Sequence, residues 1–440
     1  MAELVIQNFG PIRHCKIEEK RFMILIGAQA SGKSTIAKVI FFFRTVAEDV
    51  IQQIRTKNNG NTYHTGLEND LKKRLRNKFL RMFGSSWPMR RDMKLRYEYS
   101  RWTTIEVFLE PDRHNPSLNY VNFQFDRDVL DLISKYQNYE DIEWDESSLT
   151  KLREDVNALF SDGYETVYVP AGRSMVTLLT DQLLNIFSEE DNRTFDFCTE
   201  AYVRRIFPLR AQIGSGLQNL LKDALYTSQV KINRKALEHL EHLMNEVLHG
   251  YYAYVGGEER IVLSTKKYVK INFSSSGQQE AVWIFNLLYF YILRNKKIFL
   301  IMEEPEAHLY PTSQKHMAEA LGVFAGGGNA VLVTTHSPYI LGQFNNMLYA
   351  GDLRERVDSV LKERLYGILS PLAYLDPSTT CACFLSGGNL NNAMEDGLVC
   401  NEIIDEASVD INEVMENLLE VEWDLNTLEE EDARKIHQPV

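Results

Sequence analysis

The sequence predicts an α/β fold in which a mostly parallel central sheet carries an antiparallel β subdomain and a helical insertion. Three observations predict it. FMILIGA, IFLIMEE and AVLVTTH are short, continuous apolar runs bounded by charge or glycine, the pattern of parallel strands covered on both faces. WTTIEVFLE and YVNFQF alternate their faces on either side of the turn-rich PDRHNPSLN, the pattern of an antiparallel hairpin. From about residue 175 to 250 apolar residues recur at helical spacing, as at Ala236, Leu237, Leu240, Leu243, Met244, Val247 and Leu248.

In chain order, LVIQNFGPI and FMILIGA read as strands, the second entering a glycine loop and then an apolar helix, STIAKVIFFFRTVAEDVIQQI. From Lys72 to Arg101 there are eleven Lys/Arg against two acids, and Gly-Ser-Ser-Trp-Pro at 84–88 splits this stretch into two helical or irregular pieces. The hairpin follows. Residues 126–162 are acidic and helix-like, and TVYVPAGRS is a buried strand ending at a Pro-Ala-Gly break. The helical insertion contains His239, His242 and His249; a solvated helix face is the favoured reading over a metal site. YYAYVGGEERIVLSTKKYVKINF returns to strands, and FLSGGNL at 384–390 predicts a strand ending in a glycine turn. From Glu395 to Asp432 there are fifteen acids and no Lys or Arg, read as a helix with a solvated face and with Leu418 and Leu419 among the residues packed inward. The expected organisation is an N-terminal part at 1–175, a helical insertion at 176–250, a second part of the same unit at 251–350 and an acidic extension at 351–440.

Composition narrows the function classes. With 440 residues, 44% of them apolar, the chain has material for a sizeable core. No run of about 18 apolar residues occurs and the start MAELVIQNFG has neither the basic flank nor the apolar core of a secretion signal, so a cytoplasmic protein without membrane attachment is expected. Five scattered cysteines point to reduced thiols rather than a zinc site. A net charge of -13 argues against coating nucleic acid by bulk charge.

Three strings carry chemistry. GAQASGKS, between a strand and a helix, has two glycines four residues apart followed by Lys and Ser, the P-loop pattern. Its backbone amides from Gly27 through Ala28, Gln29, Ala30, Ser31 and Gly32 to Thr35, with the helix N-terminus, suit a polyphosphate. Lys33 reaches the β/γ-phosphates, and the Ser34 hydroxyl ligates Mg²⁺. IFLIMEEPEAHLYP ends an apolar strand in Glu303 and Glu304. Strand alternation points these carboxylates apart, leaving Glu303 for the metal shell and Glu304 as general base or water-orienting group. AVLVTTHSPYIL puts His336 at the end of a further strand, where its imidazole can sense the γ-phosphate.

The order of P-loop, SSSGQQE, EEPEAHLYP and TTHSP resembles the P-loop NTPase fold of the ABC-type ATPase head in SMC, RecF and OLD-like proteins. It is similar in particular to stand-alone bacterial AAA-type ATP-binding proteins, many of them in phage-defence systems. NFGPI and YVPAGRS add to the likeness, which touches residues 1–45, 165–175 and 270–345. The resemblance implies a head-to-head homodimer, or a higher homo-oligomer, with each ATP between the P-loop of one subunit and the signature of the other. By position, Ser276 and Gly277 are the signature residues, although SSSGQQE departs from LSGGQ. A loop near Glu306 to Leu309 would join the two sites, with His308 a candidate cross-dimer contact. Gln124 is a candidate metal-linking glutamine, with a plain hairpin glutamine as the alternative. Arg173 is either a phosphate or partner contact or a structural salt bridge. FLSGGNL spells the signature better but follows both the carboxylates and His336, which is the wrong order.

The expected cofactors are therefore ATP and Mg²⁺. OLD-like nucleases append a metal-binding domain with an Asp-x-Asp pair, which is absent after His336, so a separately encoded effector, nuclease or toxin, is expected as partner. The basic segment, with Trp87, Tyr97, Tyr99 and Trp102, is a candidate DNA or RNA surface; a solvated helix pairing with the acidic C-terminal segment is the competing reading. A DNA-repair ATPase of RecF type and an ATP-bound scaffold with little hydrolysis are the alternatives to a defence ATPase.

Overall fold

The computed structural model describes residues 2–57, 66–86, 88–111, 119–137, 144–160, 163–173, 196–214, 216–227 and 232–400, with 413, 415, 418 and 419. The N-terminal strands are β1 (Glu3–Phe9), β2 (Ile12–Glu18) and β3 (Phe22–Gly27), followed by α1 (Lys33–Arg44), α2 (Val46–Lys57) and α3 (Leu67–Phe83). The meander β4 (Lys94–Ser100), β5 (Thr103–Pro111) and β6 (Asn119–Phe125) precedes α4 (Arg127–Gln137), α5 (Glu146–Phe160) and β7 (Glu165–Val169). Helices α6 (Phe197–Ile213), α7 (Leu217–Thr227) and α8 (Arg234–Leu248) lead to the small sheet of β8 (Tyr251–Val255), β9 (Glu258–Ser264) and β10 (Lys267–Lys270). Then come α9 (Ser276–Leu293), β11 (Ile298–Glu303), α10 (Pro311–Gly326), β12 (Ala330–Thr335), α11 (Pro338–Arg356) and α12 (Ser359–Ile368). The hairpin β13 (Thr380–Ser386) and β14 (Asn389–Asn392) and the short pair β15 (Met394–Glu395) and β16 (Leu398–Val399) follow.

Eleven strands join in the order β6-β5-β4-β1-β2-β14-β13-β3-β12-β11-β7. Strands β7, β11, β12, β3 and β13 run parallel, while β1, β2, β4, β5 and β6 pair antiparallel. The fully buried strands alternate their side chains into two cores. Phe22, Ile24 and Ile26 of β3 face the core built with α8 to α11, and Met23 and Leu25 face the one built with α1 to α5. A parallel strand covered on both faces must be apolar at every position, which is why FMILIG, IFLIME and AVLVTT read as unbroken runs. Helix α9 is buried nearly all round, as its continuous apolar sequence demands.

Some expectations are corrected. The second half of the basic segment is strand β4, not a helix, and its Tyr97 and Tyr99 are buried in the core. The C-terminal segment from Thr380 enters the central sheet, with β13 beside β3. Leu418 and Leu419 are exposed rather than packed inward, while the rest of the acidic run after Cys400, with few exceptions, lies outside the described residues, as does Trp87. His239 bonds Glu319 at 2.8 Å, and no cluster of three or more His, Cys, Asp or Glu side chains placed to hold a metal occurs among the described residues.

Candidate nucleotide site

Three strand ends and one loop build the site. Strand β3 delivers the chain into residues 27–32, and α1 begins at Lys33. The loop is held by close packing that only glycine permits at two positions. A Cβ on Gly32, whose φ is +114°, would lie 2.4 Å from Ile12 Cδ1, and one on Gly27 would lie 2.9 Å from the Leu385 carbonyl oxygen. The LSGG string therefore has a role, though not that of a signature. It ends β13, makes the turn at Gly387 and Gly388, and packs against the P-loop strand of its own chain, Leu385 opposite Gly27.

Lys33 is buried and donates to the carbonyl oxygens of Gly27 at 2.6 Å and Ala28 at 2.9 Å. Burial lowers its ammonium below the usual lysine range, while Glu304, Glu306 and Glu303 act in the opposite sense. Ala28, Gln29, Ala30 and Ser34 are exposed, and Ser31 and Thr35 are half-buried.

At the end of β11 the two carboxylates separate, and the cause is a turn rather than strand alternation. Glu303 closes the strand and is 4% exposed, whereas Glu304 adopts a left-handed φ of +42° and its side chain is 30% exposed. One oxygen of Glu303 accepts from the Ala171 amide at 3.3 Å; the other, Oε1, is buried with no hydrogen-bond partner among the described residues. Tyr168 lies beside it, its phenol pushed far above the usual range by burial and then by Glu303. An orphaned buried carboxylate oxygen and the exposed Ser34 hydroxyl fit Mg²⁺, which takes few protein oxygens and completes its shell from phosphate and water.

His336 follows β12 and faces two carboxylates, Glu304 at 3.8 Å and Glu306 at 3.4 Å. Glu306, placed by sequence on the inter-subunit loop, is buried in its own chain, accepting from the Thr335 hydroxyl at 2.7 Å and the His336 amide at 2.9 Å. His308 pairs with Glu280 at 3.0 Å and keeps 57% of its side chain exposed. Ser275 caps α9 in a reciprocal capping box with Gln278, the known use of such a serine; Ser276 opens the helix exposed, and Gly277 is buried.

Gln124 does not join the site. It lies on edge strand β6 opposite Glu106, with six strands between it and β3, and its side chain is on the exposed face of β6 while Phe123 and Phe125 turn inward. The metal-linking reading is withdrawn; Gln124 is a hairpin glutamine. The loop after β7 lies beside β11 instead, through Ala171 and Arg173. Arg173 proves to be a buried ion-pairing residue, with Glu280 at 3.2 Å. Glu280 was missed because nothing local distinguishes it; only the apolar helix around it makes a buried carboxylate require a partner.

Residues 1–341 match the AAA ATPase domain family. The chain belongs to that family. Membership implies nucleotide binding. Solved structures similar to this AAA ATPase domain protein include an SMC head with an extended coiled coil bound to the C-terminal domain of ScpA, from Pyrococcus furiosus, at 11% identity, TM-score 0.39 and coverage of 94% of this chain and 100% of that one. Another is an SMC head bound to the C-terminal winged-helix domain of ScpA, at 13% identity, TM-score 0.38 and coverage of 78% and 90%. The recombination mediator RecF is similar at 11% identity, TM-score 0.32 and coverage of 89% and 97%. No curated protein matches the chain.

The basic segment is largely neutralised within the chain. Lys72 pairs with Glu68, Arg74 and Lys78 with Asp49, Arg81 with Glu200, Lys94 with Glu106, and Arg96 with Glu98. Of the described candidate stacking aromatics only Trp102 is exposed. No helix among the described residues is long and apolar enough to cross a membrane.

Proposed function

We propose that the protein hydrolyses ATP, closing as a head-to-head homodimer around two nucleotides. The observation that carries this reading is Glu304, turned out of β11 by its left-handed backbone toward His336 while the adjacent Glu303 stays buried. The P-loop amides and Lys33 hold the polyphosphate. Ser34 and Glu303 would hold Mg²⁺, which neutralises charge on the β- and γ-phosphate oxygens when bound. Glu304 orients a water and accepts its proton as the water oxygen bonds to the γ-phosphorus and the bond to the β,γ-bridging oxygen breaks, giving ADP and phosphate. His336, seated on Glu306, contacts the γ-phosphate. Gln29, Ala30 and Ser31 cover the phosphates, and exposed Ser276 with the α9 N-terminus is offered to the nucleotide of a second subunit.

Phosphate release measured with increasing ATP and Mg²⁺ tests the reading: saturable turnover that EDTA abolishes supports it, and a bound nucleotide that is never hydrolysed favours the scaffold alternative. We infer further that the ATPase regulates a separately encoded effector in bacterial antiphage defence rather than acting on DNA as a RecF-like repair protein. The internal pairing of the basic segment and the net charge of -13 favour a protein partner. Stimulation of turnover by duplex DNA, falling steeply with salt, would favour the repair reading.

A further inference from the structure

Arg173 and Glu280 lie in different elements and are each about 1% exposed in their side chains. The Arg173 guanidinium spends its donors on the end of β11. It donates to the carbonyl oxygens of Pro170 at 3.1 Å, Glu303 at 2.8 Å and Glu304 at 2.9 Å, while Nε lies 3.2 Å from a Glu280 oxygen as an ion pair without hydrogen-bond geometry. The amide of Glu304 is fixed from the other side by the Thr334 carbonyl at 2.9 Å. A non-glycine residue at φ +42° persists only where its surroundings over-determine it, and these are the contacts that do so.

The second oxygen of Glu280 leads to the surface. It meets His308 Nδ1 at 3.0 Å, and His308 is itself left-handed at φ +58°. Gly277 lies against the same loop so closely that a Cβ would be 2.4 Å from the His308 carbonyl oxygen. Thus the opening turn of α9, the 304–309 turn and the backbone of Glu304 form one continuous contact chain.

We infer that Glu280 and Arg173 are positioning residues that set Glu304 for hydrolysis according to how the α9 N-terminus and His308 are engaged from outside the subunit. This rests on Glu304 being the water-orienting base. A shift of α9 or His308 pulls on Glu280, moves the guanidinium that holds the Glu304 carbonyl, and re-aims the carboxylate. Nucleotide binding at the P-loop does not depend on the relay; turnover does.

The test compares full-length Glu280→Gln and the paired Arg173→Met/Glu280→Leu with wild type, reading ATP affinity with a fluorescent ATP analogue, melting temperature and kcat. Glu280→Gln keeps the shape and removes the charge, and its kcat is expected to fall about 100-fold, the scale of an ångström-level misplacement, with ATP affinity within about twofold. The paired variant removes both buried charges together, which buried ion pairs often tolerate, but also the donors to three carbonyl oxygens; it is expected to melt below wild type yet stay folded, to bind ATP and to remain as slow as Glu280→Gln. Recovery of kcat in the paired variant, or loss of kcat only in step with ATP affinity, overturns the inference in favour of a merely structural pair. Glu304→Gln measured alongside separates the two levels: if it is inactive while the relay variants turn over normally, only the relay fails, and if it turns over normally the base assignment beneath it fails.

Discussion

His336 Nδ1 lies 3.4 Å from the buried Glu306 carboxylate and 3.8 Å from the half-exposed Glu304 carboxylate. Glu306 is anchored by the Thr335 hydroxyl and the His336 amide, so it is placed to orient the imidazole, while Glu304 is the more exposed of the two carboxylates. His336→Gln keeps a hydrogen-bonding side chain of similar reach. It is expected to bind ATP normally and lose about 10²-fold or more in kcat, the range for removing one preorganised contact to developing charge; steady-state kinetics with direct ATP binding would show it.

Lys33 gives a pH signature. Burial lowers its pKa from 10.5 in the free protein, and polyphosphate prefers the protonated form. ATP affinity is therefore expected to be full at neutral pH and to decline as pH rises through the lowered value, before 10.5 is reached. Lys33→Arg, charged throughout, should lack that alkaline decline even if it binds more weakly, and Lys33→Ala should bind little ATP at any pH. Titration of ATP binding between neutral and alkaline pH checks all three.

Gly277 tests the packing of α9 on the 304–309 turn. Gly277→Ala places a Cβ 2.4 Å from a backbone oxygen that cannot swing aside. Overpacking of this kind costs about 1–3 kcal/mol, and the displaced turn is expected to slow hydrolysis more than it weakens ATP binding. Ser276→Ala, at an exposed position, should leave stability unchanged and act only on a step that needs two subunits. Urea denaturation beside ATPase assays distinguishes the two variants.

Lys78 tests whether the basic segment is scaffold or ligand surface. Its ammonium is 7% exposed and bonds Asp49 and the Thr45 hydroxyl at 2.5 and 2.7 Å. Lys78→Met leaves Asp49 with Arg74 as its remaining close cation, so the expected cost is that of lost hydrogen bonds to a charged group, about 1.5–3 kcal/mol. A urea midpoint lowered accordingly, with no change in any nucleic-acid retention, is expected; unchanged stability with lost retention would reverse the assignment.

The candidate-site strings stand out in the sequence because each is contiguous and sits at a strand end: GAQASGKS from the last residue of β3, Glu303 and Glu304 at the end of β11, His336 after β12. Strand type was legible too, since two-sided burial leaves an unbroken apolar run while the β5–β6 hairpin alternates. What sequence could not convey was pairing across distance. Arg173 and Glu280 are more than a hundred residues apart, and neither has a local pattern. Gln124 misled because a glutamine in a hairpin has the same spelling wherever the hairpin lies, and only strand order places it at the far edge. LSGG misled in the reverse way: its glycines make a turn whose Gly388 carbonyl accepts from the Arg13 and His14 amides at the start of β2, while Leu385 pairs with Gly27 of the P-loop strand in the same chain.

The most direct test of the central claim is Glu304→Gln, assayed for ATP retention, phosphate release and molecular mass in the presence of ATP and Mg²⁺. The variant is expected to keep ATP, to release phosphate at least about 100-fold more slowly than wild type, and to accumulate as an ATP-dependent dimer. Wild-type phosphate release from Glu304→Gln would contradict the claim.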